Sequence, residues 1–216
     1  IGIAGSHDSA ARLEAPAQIL EVLGVHVVGT LPKAVDGRLD SNRWLVPLKD
    51  AAGKVTAIVA AVPFLRPSDL PPIEAAEGAD PLIDGVRAVY AGAVALARAA
   101  ACGVPIIATG HCYMTGTALS ELSERKILGG GQHPPPADTF ATDIAYTALG
   151  HLHRAQTVGG RDQVRYAGSP LPLALDECDY RHQIVLIDIE ARGATNLRTI
   201  PVPRSIQIIR LGRPEP

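Results

Sequence analysis

No apolar run in this sequence of 216 residues comes near the 18 that a membrane-spanning helix needs. The most apolar stretch, Val86 to Cys102, is interrupted by Arg87 and Arg98, so it reads as a buried helix and not as a membrane span. No signal-peptide or lipidation motif is visible. Cysteine is scarce: Cys102, Cys112 and Cys178 are an odd number without CxxC spacing. That excludes a disulfide framework or a zinc ribbon and fits a reducing, cytoplasmic setting. Cys102 is expected to pack at a helix end and Cys112 to fill space. The sequence also lacks the basic excess of a general nucleic-acid-binding surface, its formal charge being −2. With this balance, work on DNA would require local basic patches, a metal centre or a basic partner to hold the phosphates.

What is present is a sizeable apolar fraction, 47%, enough to bury the core of one α/β domain or of one domain and the start of another. The first residue, Ile1, lies inside an apolar segment that runs straight into a polar loop, so the chain is expected to be part of a longer polypeptide. Short strands are expected at 1–4 and 25–29, with a helix between Ser9 and Leu23 that starts at Pro16 and ends at Gly24. The stretch Pro32 to Asn42 reads as a loop, and 44–48 and 55–62 as a strand pair. A proline-rich surface crossing follows, from Pro63 through Pro72. Asp80-Pro81 marks the start of the strongest helix, whose apolar stripe is Leu82, Val86, Val89, Tyr90, Ala93 and Leu96, and Gly103 ends it. Its small remaining residues allow a second buried face. Further strands are expected at 104–108, 164–167, 183–190, 196–202 and 205–211, the last leaving the domain.

Chemistry concentrates in three histidine-bearing loops, each following an apolar strand. They are Gly5-Ser6-His7-Asp8, Gly110-His111 and Gly150-His151-Leu152-His153. One His-x-His pair is weak evidence, because histidine is often a core or surface residue. Three such loops at the carboxyl ends of strands point to a metal site, the usual place for a functional loop in an α/β protein. His26, His133 and His182 read as structural or surface residues, and Arg125 as a loop anchor. Arg154 and Gln156 either face a substrate or form a surface pair, while Tyr166, Ser169 and Pro170 shape a wall beside the histidines.

In order and neighbours, these motifs resemble the last three of the calcineurin-like metallophosphoesterases. Within that superfamily, Pro63-Phe64-Leu65-Arg66, the stretch Ser120 to Gly130, Ala148 to Gln156 and Arg165 to Leu173 resemble the SbcD-type nuclease subunits. The resemblance implies a four-layer α-β-β-α sandwich, apparently without its N-terminal part, over residues 1–204, with 205–216 as the possible start of a capping domain. It implies two manganese ions, with His111 and His151 on one and His153 on the other. His7 would contact the scissile phosphate or protonate the leaving group, with Asp8 orienting it. It also implies DNA as substrate, an SbcC-type ATPase partner, a homodimer and a role at DNA ends in repair and recombination.

The chain departs from the family pattern at two points. Ser6 stands where the family has an asparagine that ligates the metal shared with His111 and His151, and a hydroxyl is a poorer, shorter ligand. The family's Asp-x-His and bridging Asp motifs are absent from these residues. Two other readings therefore remain open: a degenerate, non-catalytic module that binds DNA or a partner, and a phosphoesterase acting on small molecules.

Overall fold

A computed structural model of the chain describes residues 1–31, 43–72, 79–119, 134–190, 193–206, 208–209 and 211, with the backbone alone for 193–195. The loop expected at 32–42, the whole stretch Ser120 to Gly130 with its Arg125, and His133 lie outside the described residues.

The centre is a six-stranded mixed sheet. Strand β3 (Leu45–Lys49) pairs antiparallel with β4 (Val55–Ala60). Their turn is held by Asp50, whose Oδ1 accepts from Ala52 N–H and Lys54 N–H, both at 2.9 Å. Pro47, which cannot donate to a ladder, is tolerated because β3 is an edge strand. Strands β4, β5 (Ile106–His111), β6 (Tyr146–Gly150) and β8 (Arg161–Tyr166) then run parallel, and β7 (Gln156–Val158) closes the far edge antiparallel to β8. Parallel strands are covered on both faces, which is why β4 reads as a nearly continuous apolar run.

One face of the sheet carries helix α3 (Pro81–Ala101). Asp80 caps it by accepting from Leu82 N–H at 2.9 Å, Pro81 opens it, and Cys102 ends it in a left-handed conformation with φ 47°. Cys102 is exposed there and not packed as expected. The buried stripe is Val86, Val89, Tyr90, Ala93, Val94, Ala97 and Ala101. Leu96, expected in the stripe, is on the exposed side. Ala97 and Ala101 replace it, because their small side chains let the helix approach the sheet closely. Ala91, Ala95 and Ala99 are exposed, so among the described residues nothing buries the second face. Tyr90 meets Phe140 edge to face at 4.8 Å, which ties α3 to the segment before β6.

Two small sheets complete the described fold. β1 (Gly2–Ile3) pairs parallel with β2 (Val27–Val28), and β9 (Gln183–Glu190) forms a hairpin with β10 (Gly193–Pro201). The single helix expected between Ser9 and Leu23 is two, α1 (Ala10–Glu14) and α2 (Ala17–Val22). Pro16 sits at the N-cap of α2, one position earlier than expected. Its ring and missing N–H cannot continue α1, so the chain restarts. Among the described residues of 205–211 there is no strand. Among the described residues no helix is long and apolar enough to cross a membrane. The mixed α/β architecture is compatible with a metallophosphoesterase-like fold.

Arg98, in the last turn of α3, grips Asp143 with two bonds, Nε to Oδ2 at 2.7 Å and Nη2 to Oδ1 at 2.6 Å. This guanidinium holds the Asp143 carboxyl below its ordinary range. A carboxyl depressed on folding contributes stability at neutral pH that is lost as pH falls through the carboxylate range. Both groups are about half exposed, so Arg98→Ala is expected to cost no more than about 1 kcal/mol in urea unfolding at pH 7. The difference between variant and parent should vanish in acid, and a difference that persists there would contradict this account.

Candidate functional site

The three histidine loops converge at the carboxyl ends of β5, β6 and β1. β5 and β6 pair in register with His111 opposite Gly150, so the loops that leave them start side by side. The backbone of His151 then turns sharply, with φ 106°, a region that side-chain-bearing residues rarely adopt and that costs strain. This turn brings its ring against that of His111, with centroids 5.3 Å apart and planes at 72°. Phe64, from the loop after β4, meets His111 in a T-shaped contact, with ring centroids 5.9 Å apart.

The loop after β1 closes the third side. Ala4 N–H donates to Val28 O and Phe64 N–H to Ala4 O, both at 2.9 Å, so the end of β1 is tied to β2 and to the Phe64 loop. Gly5 passes so near His111 that a Cβ would lie 2.8 Å from Cε1 and 3.1 Å from Nδ1. Glycine is required here by close approach, not by its backbone angles. Ser6 follows, with Oγ 3.3 Å from His111 Nε2. Asp8 Oδ2 accepts from Gly5 N–H at 2.7 Å and pins the loop, and among the described residues Asp8 makes no hydrogen bond to His7. His7 and Asp8 are exposed.

Burial is the main electrostatic influence on His111. It pushes the imidazole down to about 4, with a further downward push from neighbouring His151 and smaller ones from His7 and His153, opposed by Asp8. His111 is therefore neutral at pH 7, with one ring nitrogen's lone pair available for a cation or a proton donor. His153 pairs through Nδ1 with Glu177 Oε1 at 2.7 Å.

Other expected residues fall into supporting places. Tyr166 is buried and donates from Oη to Cys112 O at 2.6 Å, closing the wall behind the β5 loop. Ser169 is buried and its N–H donates to His153 O at 3.0 Å, while Pro170 is exposed. His182 is buried, with Nδ1 2.9 Å from Ser169 O, a structural residue as expected. Gln156 is engaged with the backbone of a neighbouring segment. Its amide bonds Ala118 at both backbone atoms, 2.8 and 2.9 Å, and so holds the segment after β5. Arg154 is exposed and lies 6.0 Å over the Tyr180 ring. Sequence reasoning missed Glu177, which is 0% exposed. Glutamate is ordinarily a surface residue, and nothing in the spacing marks this one as internal.

The donor chemistry of these loops fits a divalent cation. Neutral imidazoles suit manganese, iron or zinc, and a hydroxyl is a weak additional donor. Among the described residues, however, no group of three or more His, Cys, Asp or Glu side chains is arranged to hold a metal ion. Among the described residues the loops thus gather imidazoles with no carboxylate cluster beside them.

A mixed α/β domain with imidazoles gathered at the carboxyl ends of parallel strands is the class that fold and site define together. No protein-family model matches the chain. It is 45% identical to the SbcD subunit of nuclease SbcCD from Rhodobacter capsulatus over 96% of its own length and 51% of that protein. It is 32% identical to the protein of the same name from Escherichia coli K12, over 96% of the chain and 51% of the relative. To that of Bacillus subtilis it is 30% identical, over 86% and 46%. The chain is a homologue of the SbcD-type nuclease subunits, and it spans about half the length of the curated relatives it matches.

Gly5→Ala tests the close approach at the site. The added methyl meets a ring already enclosed by Phe64 and His151, so the ring has to shift. A loss of about 1–3 kcal/mol in urea unfolding, typical of overpacking, is expected together with displaced His111 ring resonances. Unchanged stability with unchanged ring signals would contradict the geometry.

Proposed function

We propose that the chain carries the metal-binding half of a manganese-dependent DNA nuclease subunit, which hydrolyses phosphodiester bonds at DNA ends in repair and recombination. The observation that carries this reading is the His111–His151 pair, 5.3 Å apart at the ends of adjacent parallel strands, in a chain homologous to SbcD-type nuclease subunits. Its full architecture is read as the four-layer sandwich of the metallophosphoesterases. The carboxylates that complete the site are assigned to an N-terminal part, and 205–216 to the start of a capping domain. It would work in the cytoplasm as a homodimer with an SbcC-type ATPase, which relieves a chain of formal charge −2 from gripping DNA alone.

His111 and His151, with Ser6 beside them, would hold one manganese ion and His153 the other. When bound, the two ions supply charge neutralisation at the phosphoryl oxygens and an activated water. The residues of the chain do the positioning. Phe64 and Gly5 box in the His111 ring and Tyr166 closes the wall behind it, so the donor atoms keep their places with little freedom to lose. His7 is exposed at the mouth, able to meet a phosphate oxygen or return a proton to the leaving oxygen. Asp8 fixes that loop by closing it on Gly5 N–H, and thereby sets where His7 stands.

Manganese titration followed by calorimetry tests this reading on the full-length protein. Parent protein is expected to bind two ions. His111→Ala and His151→Ala should each remove one ion and lower manganese-dependent cleavage of linear DNA by at least about 100-fold, the scale of losing a group that acts in the transition state. Cleavage that survives both substitutions and a chelator would sink the proposal.

A further inference from the structure

Glu177 lies 24 residues beyond His153, in the segment that leads from β8 to β9, and is fully buried. Its two oxygens do different work. Oε2 accepts from Leu173 N–H at 2.8 Å, and Oε1 meets His153 Nδ1 at 2.7 Å. The same segment also grips His153 by its main chain. Ser169 N–H donates to His153 O, and Gly168, at φ 84°, passes so close to that carbonyl that a Cβ would lie 2.7 Å from it. His153 is thus held at both backbone and ring by residues of one segment, 168–177.

We propose that Glu177 is a positioning residue that holds His153 as the Nδ1–H tautomer, leaving the Nε2 lone pair, on the far side of the ring, as the donor atom. The backbone settles one half of the assignment, since Leu173 N–H can only donate and Oε2 must accept. For the other half, an ionised carboxylate oxygen can only accept, so the 2.7 Å contact of Oε1 with Nδ1 places the hydrogen on Nδ1. A carboxylate behind a histidine fixes tautomer and ring orientation, and its loss typically costs 10–100-fold in metal affinity. The consequence for metal rests on the proposed function; the tautomer does not. In this light the burial of an acidic side chain has a purpose, because a buried carboxylate is costly unless its oxygens are used.

Glu177→Gln separates this role from plain packing. The amide has one acceptor, and satisfying Leu173 N–H with it turns the NH2 toward His153 Nδ1, which must then accept and carry its hydrogen on Nε2. Long-range proton–nitrogen correlation spectra of the full-length protein, labelled with 15N at histidine and free of metal, read the tautomer directly. Expected are Nδ1–H at His153 in the parent and Nε2–H in the variant, with manganese affinity of the variant lowered about 10–100-fold by electron paramagnetic resonance of the free ion. The parent spectrum needs no variant to fold. Nε2–H in the parent, or Nδ1–H retained in a folded Glu177→Gln protein, would overturn the proposal. The expected tautomers in a protein that binds no manganese would uphold the positioning role and refute the nuclease reading instead.

Discussion

The register between β5 and β6 is the constraint on which the rest depends. His111 ends β5 opposite Gly150, and neighbouring strands are separated by about 4.8 Å. Two residues leaving those ends are held a ring's width apart by the backbone ladder, before any side chain has chosen a rotamer. The strained turn at His151 then uses that proximity. A slip of one residue in either strand would turn its histidine away from the other, His111 for β5 and His151 for β6. Tyr90, whose hydroxyl comes so close to Gly110 that any Cβ there would collide with it, and Phe140 against Tyr90, are the core residues that oppose such a slip.

Gathering imidazoles has an electrostatic cost, which the surroundings answer in two ways. Burial keeps His111 neutral, so it does not repel His151, His7 and His153 at physiological pH. His153 instead receives a buried acidic partner. The loops carrying these rings are held by backbone and carboxylate ties, namely Asp8 to Gly5, Ser169 to His153 and Gln156 to Ala118. The result is a group of donors whose positions are set before a ligand arrives, which reduces the entropy lost on binding.

Much of this arrangement was legible in the sequence, for identifiable reasons. Gly110-His111 and Gly150-His151 each follow a short apolar run, and a buried parallel strand writes itself as such a run. Asp80-Pro81 announces α3 by its capping chemistry. What stayed hidden depends on contacts distant in sequence. Glu177 meets His153 from 24 residues away, Gln156 turns back to Ala118, and β7 is only three residues long and exists because β8 offers an edge. The break at Pro16 was available in principle, since a proline after a helical turn stops the helix; weighing Pro16 as a start for one helix concealed a second before it. Leu96 misled for a simpler reason: apolar spacing identifies a face, but only packing decides whether leucine or alanine fits against a close sheet.

The most direct test of the central claim is anomalous diffraction at the manganese edge from crystals of the full-length protein grown with manganese. The account predicts an anomalous peak within coordination distance of both His111 and His151, with a second beside His153 on the side of its ring facing away from Glu177. Density at full manganese occupancy elsewhere, with none at these histidines, would contradict the assignment of this strand-end cluster as the metal site.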